Sequence, residues 1–248
     1  MRIAIISDIH EDIKSLSQAF KKIDKMAIDK CVCLGDISGF SAPHYEHYNS
    51  RSAHECLSLI RKNCDTIVLG NHDLNVVGKI PKNSPDFIFP ENWFELDYFE
   101  KKAIARGRVW LYQENELPAL YSHEDLEFLS QKKEIETVEI DGLKILFTHF
   151  AYPNLTGSEK SFYFDAFDFA PHFGLMKKMG CEISFMGHAH PSGIMYFSQS
   201  DSFRNRFKKI SLPSEPVCIV APSITQSGIK NGFLVFDTGK LEIEAVKI

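Results

Sequence analysis

Eight side chains in this sequence have the types and spacing to do chemistry: Asp8, His10, Asp36, Asn71, His72, His149, His188 and His190. Each follows a short apolar or β-branched run: Ile3-Ala4-Ile5-Ile6, Cys31-Val32-Cys33-Leu34, Ile67-Val68-Leu69, Ile145-Leu146-Phe147 and Ile183-Ser184-Phe185-Met186. Five of the ten histidines belong to the set. Carboxylate, imidazole and one amide oxygen, without a thiolate, suit Mn, Fe, Zn, Co or Ni better than Cu(I) or an iron–sulfur cluster. The Asp8-x-His10 and His188-x-His190 spacing lets two side chains converge from one extended segment, or reach adjacent sites. One ion with an open position needs fewer donors than this. Two ions about 3.5–4 Å apart, bridged by a carboxylate, would use them all.

Each block alone also has a plain structural reading. Asp8 could cap the helix that starts near Asp12, Asp36 could bind nearby loop amides, and a strand-end histidine such as His149 is commonly just hydrogen-bonded. Five such blocks in order, each at a strand terminus, do not fit those readings jointly.

The elements that must position these groups alternate. Residues 2–7 read as a buried strand, and Ile13, Leu16, Phe20, Ile23 and Ala27 form a helical stripe over 13–28. Cys31–Leu34 is a second strand, 52–63 a helix and 65–69 a third strand, running into a tight turn at Gly70, where a Cβ would oppose the backbone. Strand, helix, strand, helix, strand at this spacing implies a parallel sheet, whose carboxyl ends carry ligands. Residues 74–135 are less regular, with 91–106 and 123–133 helical in pattern. Asp141-Gly142 predicts a hairpin between 136–140 and 143–147. A helix near 171–179 and a strand over 182–186 follow, then strands at 193–198, 207–212, 217–221, 232–237 and 241–247. No repeat or linker interrupts the chain, so one domain over 1–248 is expected.

Composition narrows the class. The net charge of −5 gives no global attraction to nucleic acid or acidic membranes. No apolar run is long enough to span a bilayer. The six cysteines include no C-x-x-C pair, which argues against a structural zinc site and for buried thiols in a reducing compartment. The first strand begins at Arg2, leaving no room for a signal peptide, and a cytoplasmic location is expected. Arg204, Arg206, Lys208 and Lys209 read as a turn or a protected edge strand. The aromatic loop 162–169 reads as core or a lid packing surface. His44 and His47, in the loop after Asp36, are further candidates for substrate contact.

Taken together, Asp8-x-His10, Gly35-Asp36, Gly70-Asn71-His72-Asp73, His149 and Gly187-His188-x-His190 resemble the five-block signature of the calcineurin-like metallophosphoesterases. The similarity spans nearly the whole chain and is greatest to the small, cap-less prokaryotic branch. It implies an α/β fold, a four-layer sandwich of two mixed β-sheets flanked by helices. It also implies two divalent transition-metal ions, one held by Asp8, His10, Asp36 and His190, the other by Asp36, Asn71, His149 and His188. Asp36 would bridge them, since a carboxylate has two oxygens to share and a neutral imidazole has one free lone pair. Hydroxide from a metal-bound water would attack phosphorus in line, and His72 would protonate the leaving oxygen or stabilise the transition state.

Departures refine the expectation. The protein phosphatase branch has an Asp and then an Arg where this chain has Gly39 and Phe40, which leaves His72 without that partner and phosphate without that clamp. Asp73 stands in place of Glu, and Phe150 follows His149, where it would narrow the pocket or pack on loop 162–169. The expected substrate is a small phosphodiester or nucleotide-type ester. The alternatives are a DNA nuclease, a phosphomonoesterase or protein phosphatase, and a non-catalytic scaffold. Nucleic acid and membrane partners are not expected.

Overall fold

Two mixed six-stranded sheets face each other across an apolar interior, and helices cover their outer faces. The computed structural model describes residues 1–161 and 168–248, so positions 162–167 of the predicted aromatic loop lie outside the described residues. In chain order the elements are β1 (Arg2–Ile6), α1 (Ile13–Ile23), β2 (Lys30–Cys33), β3 (Phe40–Ser41), α2 (Ala53–Asn63), β4 (Thr66–Ile67) and α3 (Asn71–Val76). Next come α4 (Tyr98–Ala105), β5 (Glu116–Leu117), α5 (His123–Ser130), β6 (Ile135–Ile140), β7 (Leu143–Thr148), α6 (Ala170–Met179) and β8 (Ile183–Met186). The chain closes with β9 (Ile194–Ser198), β10 (Ser202–Arg206), β11 (Lys209–Ser211), β12 (Val217–Val220), β13 (Gly232–Asp237) and β14 (Glu242–Lys247).

The sheet orders are β11-β14-β13-β1-β2-β4 and β10-β9-β12-β8-β7-β6. Side chains alternate across each strand, which explains why both faces of β1 are apolar. Ile3 and Ile5 join Val32, Phe147, Phe185 and Ile219 between the sheets. Ala4 and Ile6 meet Leu16, Ala19, Leu57 and Ile60 of α1 and α2 on the other side. Phe173 and Met176 of α6 cover Leu146, Met186 and Val220 of the second sheet. Helix, sheet, sheet and helix make the four layers that the sequence predicts. Within the two sheets β1 with β2, β2 with β4, and β8 with β7 and β12 pair in parallel. Their carboxyl ends therefore open to one edge of each sheet.

Several elements differ from expectation. The predicted strand 65–69 is only Thr66–Ile67, extended by a single bridge between Val68 and Lys133. Gly70 does not make a tight turn; it is the residue before α3, and its φ of −91° is ordinary. The helix predicted over 13–28 stops at Ile23, and that predicted over 91–106 is reduced to α4. β3, β5 and β10 carry too few residues, or too polar a pattern, to leave a periodic trace. The basic cluster does fall on edges, since Arg204 lies in β10 and Lys209 in β11, each the outermost strand of its sheet. All six cysteines are free, and every one but the half-buried Cys64 is buried. Among the described residues no helix is long and apolar enough to cross a membrane.

His172 anchors α6 from within. The Tyr152 amide donates to its Nδ1 at 2.9 Å, so the ring proton sits on Nε2, 2.8 Å from the Ser184 hydroxyl. Burial pushes its pKa down to about 3.

Two outcomes follow from this packing. Phe185→Ala should cost about 3–5 kcal/mol in urea unfolding, because Phe185 is fully buried between the sheets; a loss under about 1 kcal/mol would contradict the packing. Below pH about 6.5 the unfolded chain protonates His172 while the folded chain refuses the proton. Stability should therefore fall by about 1.4 kcal/mol per pH unit from this group as pH drops toward 3. His172→Gln should remove one proton from that slope, measured as urea stability between pH 6 and 4, whatever its effect on absolute stability.

Candidate metal centre

The predicted donors come from the carboxyl ends of strands in both sheets. Asp8, His10, Asp36, His188 and His190 have φ values of 55°, 46°, 52°, 65° and 46°. That left-handed region costs a residue with a Cβ on the order of 1–3 kcal/mol. Backbone hydrogen bonds hold these turns in place: Asp8 N–H to Gly35 O at 3.0 Å, His10 N–H to Asp36 O at 3.0 Å, and Gly187 N–H to His149 O at 2.9 Å. Ile224 and Thr225, beyond β12, donate to the carbonyls of Ser7 and Asp8 at 2.9 and 3.0 Å, which ties the two sheets together at the site.

Two buried carboxylates organise the centre. Asp36 Oδ2 lies 3.0 Å from His149 Nε2, 3.8 Å from His72 Nε2 and 4.0 Å from His10 Nε2. Asp8 Oδ1 lies 3.1 Å from His190 Nε2 and 3.8 Å from His149 Nε2. Among the described residues three groups present ligand atoms within 4.8 Å of one another: Asp8-His10-His190, Asp36-His149-His188 and His10-Asp36-His72. The first falls within the set assigned by sequence to one ion, and the second within the set assigned to the other.

The hydrogen bonds fix what these atoms can offer. Nδ1 of His10 lies 3.0 Å from Gly39 O and Nδ1 of His149 lies 2.8 Å from Leu34 O. A carbonyl only accepts, so each Nδ1 carries the proton, and in the neutral ring each Nε2 lone pair faces the centre; this is the usual outer bond of a metal-binding histidine. Asn71 Nδ2 donates to the Tyr112 hydroxyl at 3.1 Å, leaving Oδ1 buried and without a hydrogen-bond partner among the described residues. An orphaned buried carbonyl costs about 1–3 kcal/mol. A cation would satisfy it. The donor set therefore fits divalent metal.

At Asp36 and His149 charge opposes burial. Desolvation disfavours the charged form of Asp36, yet His149 and His72 hold the carboxyl well below the usual carboxylate range. Desolvation also disfavours a charged His149, and Asp36 overrides it, raising that imidazole to about 9. His188 is pushed down to about 3 by burial and then by His149. A cation would take over the role of protons shared among these groups, so its binding releases them.

Backbone approach is equally tight. Gly70 is required by space, because a Cβ there would lie 2.0 Å from Asp36 Oδ1. The His72 amide donates to that same oxygen at 3.0 Å, and the His188 amide donates to both oxygens of Asp8 at 3.1 Å. Asp73 accepts from the amides of Ile37 and Ser38 at 3.0 and 3.1 Å, locking the Gly-Asp loop to the start of α3.

A cavity of about 210 Å³ opens over the cluster, floored by His10, Asp36, Asn71, His72, His188 and His190. Its walls include Tyr45, Trp110 and Tyr112, and among the described residues lining it there is no Lys or Arg. Tyr45 stacks on His10 with ring centroids 4.9 Å apart. The sequence reading missed Tyr45, Trp110, Tyr112 and Glu116, and no periodic signal marks them. His44 lines the cavity, whereas His47 turns its Nε2 to the His10 carbonyl at 2.9 Å. Phe150 is buried with its ring 4.7 Å from that of His188, so it backs that imidazole.

Position 39 carries no carboxylate, as expected, but His72 has a different one beside it: its Nδ1 lies 2.6 Å from Glu116 Oε1, an ion-pair contact outside hydrogen-bond geometry. The sequence reading looked for that group beside Gly39, but it arrives from β5. Burial disfavours charge on His72, and Glu116 followed by Asp36 more than offsets it, lifting the imidazole to about 10 in the metal-free protein.

Two facing mixed sheets with clustered Asp, His and Asn at their strand ends define a metallophosphoesterase fold, and the chain belongs to the calcineurin-like phosphoesterase family, whose model matches residues 1–192. It is 30% identical to the uncharacterized protein MJ0912 of Methanocaldococcus jannaschii, over 99% of this chain and 86% of that protein. Among solved structures it is similar to a metallophosphoesterase from Sphaerobacter thermophilus, with a TM-score of 0.67 and 19% identity over 100% of this chain and 88% of that one. The hypothetical protein PH1004 from Pyrococcus horikoshii OT3 is similar at a TM-score of 0.61 and 15% identity, over 100% and 87%. At these identities the two structures attest the fold.

Asp36→Asn should lower metal retention by at least about tenfold, read as metal per protein after dialysis against limiting Mn²⁺. Unchanged occupancy would remove Asp36 from the metal set.

Proposed function

We propose that the protein hydrolyses a small phosphodiester or nucleotide-type ester, with the whole chain, 1–248, acting as one domain. Two divalent transition-metal ions (Mn, Fe, Zn, Co or Ni) would be held by Asp8, His10, Asp36 and His190 and by Asp36, Asn71, His149 and His188, with Asp36 shared. The observation that carries this reading is the buried Asp36 carboxylate, ringed by His149, His72 and His10 on the floor of a cavity that has no Lys or Arg among the described residues lining it. When bound, such ions polarise phosphoryl oxygens and supply a nucleophilic water at neutral pH.

The chain's own groups divide the remaining work. The Gly39 and Leu34 carbonyls orient His10 and His149, and the His72 and His188 amides orient Asp36 and Asp8. His72 Nε2 faces the cavity beside Asp36 and would give its proton to the leaving oxygen. A diester carries one negative charge and a monoester close to two. A rim with no Lys or Arg among its described residues, and with Glu116 on it, favours the smaller charge. Tyr45, Trp110 and Tyr112 offer flat faces to a base or an aryl group. The net charge of −5 and the cavity's size weigh against a duplex as substrate.

With Mn²⁺ restored, kcat/KM should be higher for bis-p-nitrophenyl phosphate than for p-nitrophenyl phosphate. The reverse order would remove the diester preference. Failure to hydrolyse either ester, in protein shown to hold two ions, would leave the scaffold reading. His72→Ala should keep its metal and lose about a hundredfold or more of kcat on a phenol-leaving diester; wild-type turnover would take His72 out of the acid role.

A further inference from the structure

We propose that Glu116 is the positioning residue for His72, supplied by a separate two-residue strand in place of a carboxylate at position 39. The proposal rests on the phosphoesterase reading above for its consequence, but not for its geometry.

Position 39 cannot do the job. Gly39 has a φ of +95°, and a Cβ there would lie 2.3 Å from His72 Nδ1 and 2.5 Å from its Cγ. The imidazole therefore lies flush on the Gly39 backbone, in the space a side chain would need. A partner for Nδ1 has to come from across the ring. Glu116 does so at 2.6 Å, with its side chain 13% exposed and that of His72 18%.

The reach of Glu116 is built rather than incidental. β3 and β5 pair antiparallel with Ser41 opposite Glu116 and Phe40 opposite Leu117. The Ala42 amide continues the ladder to the Asn115 carbonyl at 3.1 Å. Phe40 is fully buried, with Arg51 over its ring at 5.4 Å and the ring of His47 at 4.9 Å. So β3 begins one residue past Gly39 on a fixed base, and among the described residues its only pairing partner is the strand that carries Glu116. This small sheet is separate from the two large ones. Holding Glu116 against His72 is the consequence of its register.

The other walls around the ring are the edge of His10, at 4.8 Å between centroids, and Tyr112 at 5.0 Å. Neither offers an acceptor to Nδ1 in this arrangement. With Nδ1 on Glu116, the remaining nitrogen, Nε2, points to the cavity beside Asp36. In the step, the water oxygen bonds to phosphorus as the P–O bond to the leaving group breaks with its electron pair on oxygen, and Nε2–H passes to that oxygen. The ring then holds its proton on Nδ1 toward Glu116, the water's proton is released to solvent, and one proton from solvent restores Nε2–H. A ring without Glu116 keeps its chemistry but loses the orientation and the fixed tautomer.

The test compares Glu116→Gln, Glu116→Asp and His72→Ala in the Mn²⁺-restored enzyme, using aryl phosphodiesters that differ in leaving-group acidity. Glu116→Gln should keep its metal and hold KM within about twofold, while kcat falls about tenfold to a hundredfold on phenol-leaving esters and much less on p-nitrophenol esters. Glu116→Asp should recover part of that loss, and Glu116→Gln added to His72→Ala should cost little more than His72→Ala alone. In the metal-free protein, the His72 ring nitrogen resonances, assigned by their loss in His72→Ala, should move in Glu116→Gln. A kcat within twofold across the ester series, an effect on KM alone, additive losses in the double variant, or unmoved His72 resonances would each overturn the proposal. A wild-type protein that binds two ions yet cleaves no phosphoester would sink the functional reading, while the resonances would still decide the contact.

Discussion

Two carboxylates with almost no contact with water, Asp8 at 0% and Asp36 at 1% exposure, set the terms for the rest of the molecule. A buried, ionised carboxyl left alone costs several kcal/mol or more, so each must be surrounded by donors or positive charge. Asp8 receives the His188 amide and faces His190, while Asp36 receives the His72 amide and faces His149. The left-handed turns, the absent side chain at position 70 and the carbonyl contacts behind the imidazoles all serve this compensation. Asn71 Oδ1 and the converging Nε2 atoms show that the compensation stays incomplete within the protein, which is what a cation site requires.

Neither sheet holds the centre alone. The first contributes Asp8, His10 and Asp36 from the turns after β1 and β2, and the second contributes His149, His188 and His190 after β7 and β8. The interior between the sheets, with Phe147, Phe185 and Phe236 among its largest residues, sets the separation at which the two halves meet. Interiors are close-packed, and a shift there would be transmitted to distances of about 3 Å at the site. Core stability and site geometry are coupled for that reason.

The rim has a different origin. Trp110, Tyr112 and Glu116 come from the stretch between α4 and α5, outside both large sheets, and contacts to distant segments hold it, such as Trp110 Nε1–H to Gly157 O at 3.1 Å. The segment also touches the floor, because the Tyr112 hydroxyl accepts from Asn71 and the Glu116 carboxylate lies beside His72.

The sequence by itself determined the order of strands and helices and the polar groups at the strand ends, and the two-sheet layering followed from the family resemblance those groups carry. Apolar runs of four to six residues ending in Asp, His or Asn are local signals, and the order of β1, α1, β2, α2 carries the parallel pairing with it. Asp8, His10, Asp36, Asn71, His72, His149, His188 and His190 could be singled out because each sits at the end of such a run, and their division into donors and acid came from the family resemblance. What only the tertiary structure decided is the company they keep. The two-residue pairing of β3 with β5 has no periodicity to read, so the Glu116 carboxylate next to His72 was invisible, and the chain looked as though that partner had been lost at Gly39. Gly70 misled in the same way: its backbone is ordinary, and the reason for glycine lies in an oxygen of Asp36, thirty-four positions earlier in the chain. Local patterns record which face of a strand is buried, whereas contacts between distant segments depend on how close two backbones come, and that distance is set only when the sheets pack.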